Sequence, residues 1–315
     1  MNPAISVIYV NYNTSTLLLR SVSSLISQCR EIPFEIIIVD NASHPEQQTQ
    51  LREGLAVMDV ENLRLIFSDE NLGFGRANNL GARDAAGRFL FFLNPDTIVV
   101  NDVLKLFSRF LAGAAENVVA CGGKLLKPDR SPNDSYGNFP GIRQELAMTG
   151  LGFRLLMSSY QREIAIANKA PDKLAKVSYI VGADIFIRRD CFEIVGGFDE
   201  NYFLYYEETD LFKKLQAHSF ESFIVPEAEI IHFEGAALNP GKKFSIPKFK
   251  FLLNSKLYYH RKWQPAWKMP IINSIVLVQI VAQFIKGKMG SEISPLLKAY
   301  FNTIRMEPSK SGIPA

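Results

Sequence analysis

Residues 88–96, RFLFFLNPD, constrain the fold more than any other stretch, because five consecutive apolar side chains give way at once to residues that a buried strand does not tolerate. The apolar run has no polar alternation, so both its faces are covered, as in a parallel sheet with helices on each side. Asn94, Pro95 and Asp96 then stand at the strand's carboxyl end, the edge where open α/β sheets place their ligands. A carboxylate is delivered to that crevice.

The same pattern recurs upstream. Residues 5–10 (ISVIYV) read as a strand, and Asn11 to Thr16 supply turn and N-cap chemistry for a helix running to about Gln28. Residues 35–40 (EIIIVD) lead through Asn41, Ala42 and Ser43 into a polar helix over 46–55, and 63–67 (LRLIF) lead through NLGFGRANN into a small-residue helix ending near Ala86. After Asp96, Asp102 caps a helix through Phe110, and 118–122 is again a strand. This βαβα alternation with short loops predicts right-handed crossovers, a mostly parallel sheet, and loops gathered on one edge. Periodicity fades from 128 to 176, where an apolar patch at 150–157 sits in a Pro-, Gly- and Ser-containing stretch, expected to be a flexible or partly helical excursion over the crevice. Order returns at 177–189, a strand interrupted at Gly182 and Ala183, where a missing side chain permits close approach. A tight turn at 195–201, an amphipathic helix at 211–217 and two short strands at 223–225 and 229–232 follow.

Lys and Arg number 35 against 32 Asp and Glu, and this balance gives no reason to expect a nucleic-acid partner. Cys29, Cys121 and Cys191 are distant and odd in number, which fits neither a disulfide framework nor a zinc site and points to a reducing cytoplasm. Residues 1–5 lack the features of a signal peptide. The final part changes character: Lys242, Lys243, Lys248, Lys250, Lys256, Arg261, Lys262 and Lys268 interleave with Phe249, Phe251, Tyr258, Tyr259, Trp263 and Trp267. Residues 270–285 are apolar but fall short of the roughly 20 that span a bilayer. Gln279, Gln283 and Lys286 share a helical face, so the expectation is an interfacial helix on an anionic membrane, with an ordinary solvated face as the alternative. The division is a domain over 1–255 and a basic, aromatic helical tail over 256–315.

Several side chains at strand ends could carry chemistry or merely shape turns. Asp40 reads equally as a ligand-facing carboxylate or a turn residue. Gly73 and Gly75 permit a left-handed entry to a helix whose start carries Arg76 and Asn78, a place for a phosphate or simply a helix-entry turn. Glu207, Glu208 and Asp210 either cap and solvate the helix near Leu211 or supply a base. His232 is a ligand or a hydrogen-bonded, partly buried histidine.

Seven motifs in order decide between these readings: VNYN at 10–13, VDNAS at 39–43, NLGFG at 71–75 with Asn78, LNPDT at 93–97, Gly182-Ala183 with Arg188 and Arg189, GFDE at 197–200, and Glu207 with Glu208. Through them the chain, from about Ile5 to Gly235, resembles the inverting family 2 glycosyltransferases of the rhamnosyltransferase-like branch that builds bacterial surface polysaccharide. The resemblance implies the GT-A fold, an α/β, Rossmann-like, mostly parallel sheet flanked by helices. It implies transfer of a sugar, L-rhamnose from dTDP-L-rhamnose (or another dTDP- or UDP-linked donor), to a lipid-linked oligosaccharide in O-antigen or capsule assembly at the cytoplasmic face of the inner membrane, with peripheral membrane contact. It assigns Asn11, Tyr12, Asp40, Asn41, Gly73, Arg76, Asn78, Asn94 and Asp96 to the nucleotide sugar. Asp96 and His232 fall to a Mn²⁺ or Mg²⁺ ion, and Glu208 to the base, with Glu207 beside it and Asp210 its rival. Asn94 replaces the first Asp of the family's Asp-x-Asp motif, and Glu208 replaces the Asp of its Glu-Asp pair. An idle GT-A module acting as a membrane scaffold is the alternative. A nucleotidyltransferase is disfavoured, since Asn11 to Thr14 lack a Gly-rich basic loop.

Overall fold

In the computed structural model, residues 3–58, 60, 62–149, 171–233, 246–285 and 293–305 are described. They divide into two compact units, one spanning Met1–Phe139, Ala165–Phe203 and Glu207–Pro240, the other Pro140–Ile164, Leu204–Tyr206 and Gly241–Ala315.

The first unit is a nine-stranded sheet in the order β3-β2-β1-β4-β10-β6-β11-β5, with β8 pairing β11. Its strands are β1 (Ile5–Asn11), β2 (Phe34–Asp40), β3 (Leu63–Phe67), β4 (Phe89–Leu93), β5 (Thr97–Val99), β6 (Val118–Leu126), β8 (Ala175–Val177), β10 (Asp184–Arg188) and β11 (Glu221–His232). A separate antiparallel pair joins β7 (Tyr136–Gly137) to β9 (Tyr179–Ile180). The sheet opens with a parallel set, Asn11 level with Asp40 and Asp40 level with Phe67, so the carboxyl ends of β1, β2 and β3 share one edge. β10 then inserts antiparallel between β4 and β6, putting its first residue, Asp184, level with Leu93.

The unbroken apolar run of β4 is used on both faces, as its composition requires. Phe91 packs at 5.6 Å from Phe107 in one layer, and Phe92 at 5.1 Å from Phe198 in the other. The first layer is covered by α1 (Ser15–Gln28), α2 (Pro45–Ala56) and α4 (Val103–Gly113). The second is covered by α3 (Phe74–Arg83), α6 (Arg189–Ile194) and α7 (Glu207–Ala217). Asp102 accepts from Lys105 N at 3.0 Å and caps α4.

Three readings change. The helix expected at Leu211 begins at Glu207, because three acids in its first turn suit the positive end of the helix dipole. The strands expected at 223–225 and 229–232 are one strand, β11, whose register with β6 jumps between Val225 and Glu229. The strand expected over 177–189 is divided among β8, β9 and β10, and α6 starts at Arg189. The excursion from 128 holds β7 and a helix, α5 (Ile142–Met148); its apolar patch at 150–157 lies outside the described residues.

In the second unit α5 packs with α8 (Ile246–Trp263), α9 (Met269–Ile285) and α10 (Ile293–Arg305) around Leu253, Leu257, Ile272, Val276, Ile280, Leu296 and Tyr300. The boundary read at 255/256 falls inside α8. Two polar side chains of this unit turn toward a buried carboxylate, contrary to their sequence reading. Lys256 is buried and its Nζ meets Glu145 Oε2 at 2.8 Å, while His260 Nε2 lies 3.1 Å from Glu145 Oε1. Gln279 is half-buried, and its Nε2 donates to Glu145 O at 2.7 Å and to Glu145 Oε2 at 2.9 Å. The Gln283 side chain and Lys286, with which it was expected to form a polar face, lie outside the described residues, as do Lys242 and Lys243. Among the described residues no helix is long and apolar enough to cross a membrane.

Burial alone raises the Glu145 carboxyl, but the bonds from His260, Lys256 and Gln279 outweigh it and bring it down to about 2. Its stabilising contribution is therefore complete above the ordinary value of 4.5 and is lost as pH falls from there toward 2. Glu145→Ala should cost about 3–5 kcal/mol, because it strands the Lys256 charge in the interior. Both tryptophans, Trp263 and Trp267, lie in this unit, so urea denaturation followed by their fluorescence measures the loss.

Candidate functional site

The carboxyl edge of β1, β2, β3 and β4 collects most of the residues singled out in the sequence. Asp40 is fully buried, and three donors take its oxygens: Asn11 Nδ2 at 2.8 Å on Oδ2, with Ser43 N at 3.0 Å and Gln48 Nε2 at 2.9 Å on Oδ1. Asn11 is equally enclosed, and its Oδ1 accepts from Thr14 Oγ1 at 2.9 Å. These two side chains lock the loops after β1 and β2 together and leave Tyr12 between them as the projecting group, 46% exposed. An exposed aromatic ring on a loop fixed in this way is able to stack on a planar ligand group.

Asn41 carries the lock to the third loop. Its Nδ2 donates to Asn71 Oδ1 at 2.9 Å, and its Oδ1 accepts from Leu72 N at 2.8 Å. Gly73 has φ +80°, and a Cβ there would lie 2.2 Å from Phe203 O, so only glycine fits. Phe74 N donates to that same Phe203 O at 3.0 Å. At the α3 start, the half-exposed Arg76 guanidinium sits 3.9 Å from Glu200 Oε2, whereas Asn78 is buried and donates to Phe74 O at 3.1 Å.

The fourth loop meets the second half of the chain. Asn94 N donates to Ala183 O at 2.9 Å, and the Thr97 hydroxyl donates to Asn94 O at 2.7 Å. Asp96 is nearly buried; its Oδ1 lies 3.3 Å from His232 Nε2, and its carbonyl accepts from Phe233 N at 2.9 Å. The His232 Nδ1 is buried with no partner among the described residues. One carboxylate oxygen and one imidazole nitrogen are a partial donor set for a divalent cation, one that phosphate oxygens complete. Among the described residues no group of three His, Cys, Asp or Glu is placed to hold a metal ion. The motif tail at 234–237 lies outside the described residues.

The three acids of α7 are set apart by their surroundings. Asp210 is fully buried, with Tyr202 Oη at 3.3 Å from its Oδ1. Glu207 is also buried, next to Gly75, with Oε2 unpartnered among the described residues; burial, then the Glu208 charge, raises its carboxyl well above the usual range. Glu208 is half-buried, and burial raises its carboxyl too. It stands over the interruption in the sheet: a Cβ on Gly182 would lie 3.8 Å from Glu208 Cβ and 3.7 Å from Phe74 Cε1. Ala183, next to Gly182, accepts the Asn94 N–H, so the surroundings of Glu208 adjoin the loop that carries Asp96.

Sequence reasoning passed over several contributors. Asn79 clamps the turn after α6, donating to Phe198 O at 2.9 Å and accepting from Phe198 N at 2.9 Å. Tyr179 borders Glu208, and its phenol is raised by burial and by that charge. Neither has a local signal, since each works through a partner distant in sequence. A cavity of about 240 Å³ lies away from this edge, at the start of β11, around Lys176 and Glu221.

The family described as "Glycosyl transferase family 2" matches residues 6–160. The N-acetylglucosaminyl-diphospho-decaprenol L-rhamnosyltransferase of Mycobacterium tuberculosis is 30% identical over 258 residues, 74% of this chain and 76% of that protein. The dTDP-rhamnosyl transferase RfbF of Shigella flexneri is 24% identical over 240 residues, 75% and 71% of the two. Among solved structures, GalNAc-T7 with UDP, GalNAc and Mn²⁺ superposes with a TM-score of 0.64 at 15% identity, covering 96% of this chain and 55% of that one. The mannosyltransferase PcManGT from Pyrobaculum calidifontis, in complex with GDP-Man and Mn²⁺, gives 0.56 at 16% identity, covering 98% and 82%. At these identities the likeness is one of fold, the GT-A arrangement.

The raised Glu207 carboxyl has a measurable consequence. An acid whose carboxyl is raised by folding stabilises at low pH, and that contribution is lost as pH rises above the ordinary value of 4.5. Glu207→Gln should therefore raise the melting temperature, with a gain that grows as pH rises above 4.5; a pH-independent change in Tm would contradict it.

Proposed function

The chain belongs to glycosyl transferase family 2, and from that premise we propose that it transfers L-rhamnose from dTDP-L-rhamnose, with inversion, to a lipid-linked oligosaccharide of a bacterial surface polysaccharide such as O-antigen or capsule. That it is a glycosyltransferase follows from the family. The donor rests on the two relatives, which are named for L-rhamnosyl and dTDP-rhamnosyl transfer, and the lipid-linked acceptor on the first, named for a diphospho-decaprenol substrate.

The observation that carries the reaction is the separation of the α7 acids. Glu208 alone among them is half-exposed, and it borders the gap at Gly182. In the proposed reaction its carboxylate takes the proton of an acceptor hydroxyl as that oxygen attacks the sugar's anomeric carbon. The bond from that carbon to the diphosphate oxygen breaks on the opposite face, and the electron pair leaves with the nucleoside diphosphate. Tyr12 and the loops locked by Asn11, Asp40 and Asn41 seat the nucleoside, and the α3 start with Arg76 receives phosphate charge. Asp96 and His232 would hold a divalent ion, Mn²⁺ or Mg²⁺, whose chemistry when bound would be charge neutralisation of the leaving diphosphate. Asp210 and Glu207, enclosed, keep the helix and Glu208 in place.

A lipid-linked acceptor requires the enzyme to work at a membrane, and the second unit carries a surface suited to one. Trp267, Ile271, Val278, Val281 and Ile285 repeat at helical spacing along α9 and its lead-in, all exposed, with Trp267 at 67% and Ile285 at 76%. Residues 246–305 contain ten Lys and Arg against one acid, Glu292. An apolar stripe on a strongly cationic unit matches an anionic bilayer surface, here the cytoplasmic face of the membrane.

Glu208→Gln should lower kcat by about 10²–10⁴-fold with the fold intact. In the wild type, transfer should rise with pH through a range above the ordinary Glu value, since Glu208 acts only when deprotonated. Assays with a panel of dTDP- and UDP-sugars, with Mn²⁺, Mg²⁺ or chelator, test donor and metal together. Unchanged glycan extension in cells carrying Glu208→Gln or Asp96→Ala would favour an idle scaffold instead. For the surface, Ile271→Ser with Val278→Ser and Val281→Ser should abolish sedimentation with phosphatidylglycerol vesicles; undiminished binding would remove α9 from the contact.

A further inference from the structure

His232 reaches Asp96 only because, between Val225 and Glu229, β11 carries three residues more than β6. Val225 is level with Gly123 on β6, yet the next paired residue, Glu229, is level with Lys124, leaving Pro226, Glu227 and Ala228 without partners. Beyond this excess the register is restored, and β11 pairs with β5 so that His232 stands level with Thr97. Without the excess, Glu229 would occupy the level that His232 holds. Because three is odd, every downstream side chain would also change faces.

The excess is held from both sides. On one, Asn101 Nδ2 donates to Glu227 O at 2.6 Å and Asn101 Oδ1 accepts from Glu229 N at 3.2 Å. On the other, the Ala228 carbonyl lies where a Cβ on Gly123 would stand, 2.5 Å from it. Gly123 is also where β6 parts from β10. Their ladder pairs Cys121 with Phe186 and would next-but-one pair Gly123 with Asp184, but there the Gly123 N–H goes to the Asp184 carboxylate oxygen Oδ2 instead of a backbone carbonyl. Asp184 is fully buried and its Oδ1 has no partner among the described residues; burial pushes its carboxyl up, toward the neutral acid. An acid this enclosed, accepting one backbone N–H at the seam of two strands, is a costly way to fill the position unless that bond matters.

We propose that Asp184 is a positioning residue: by accepting the Gly123 N–H it holds β6 against the three-residue excess of β11 and so keeps the His232 ring level with Asp96. The consequence for metal rests on the assignment of Asp96 and His232 as ligands; the placement of the ring does not. Asn in place of Asp184 keeps the shape and an accepting oxygen, whereas Ala removes the acceptor.

Two readouts test this on the full chain. Without metal, the His232 ring resonances in NMR, assigned with His232→Gln, should move in Asp184→Ala and stay in Asp184→Asn. With dTDP or UDP present, the Mn²⁺ Kd measured by EPR should rise tenfold or more in Asp184→Ala and stay within twofold of wild type in Asp184→Asn. A folded Asp184→Ala protein with unmoved His232 resonances overturns the proposal, as does an Asp184→Asn protein as damaged as the Ala variant. Should Asp184→Ala fail to fold, Asn101→Ala, which loosens the excess from its other side, should give the same displacement, and its absence is equally fatal. Asp96→Ala separates the two layers: Mn²⁺ retained there overturns the metal assignment, while the ring resonances still decide whether Asp184 places His232.

Discussion

The bond from Asn94 N to Ala183 O is the joint on which the site depends. β4 brings its carboxyl end to an edge already formed by β1 and β2, but a parallel set alone offers only strand ends and helix starts. Inserting β10 antiparallel beside β4 brings an interrupted strand, Gly182 and Ala183, to that same edge and with it the neighbourhood of Glu208. Residues nearly ninety positions apart are thereby held by one backbone hydrogen bond at 2.9 Å. Such a bond contributes about 1 kcal/mol to stability, and its larger effect is to fix geometry.

The acids around this joint show how burial assigns roles within one residue type. Asp40 is enclosed with three donors and is a structural lock. Asp184 is enclosed with a single backbone donor, Glu207 is enclosed beside Gly75, and Asp210 faces the Tyr202 hydroxyl. Glu208 combines a desolvated carboxyl with an open side. That combination is what proton transfer at neutral pH asks for: a carboxylate basic enough to accept the proton and accessible enough to meet the hydroxyl.

Much of the first unit was legible because its signals are local. The strands at β1, β2, β3 and β4 announce themselves as apolar runs ending in polar residues, and the Asp102 cap by its place before an amphipathic run. What escaped was either too short or too distant. β5 has three residues and shows no period. Pro226 breaks the pattern of β11 into two apparent strands, although the break is the excess that places His232. The seven motifs listed the strand-end residues of the site, but not that Asp40 would be saturated or that Glu207 would turn inward, since both outcomes depend on partners elsewhere in the chain.

The second unit shows the same limit more sharply. Read alone, the sequence places Lys256 among cations facing an anionic membrane and Gln279 on the polar face of an interfacial helix. Glu145, more than a hundred residues upstream, reverses this: a buried carboxylate needs compensating charge and hydrogen bonds, and Lys256, His260 and Gln279 are drawn in to supply them. Gln279 thus takes an inward position on α9, held by a carboxylate, while Ile271, Val278, Val281 and Ile285 of the same helix remain exposed.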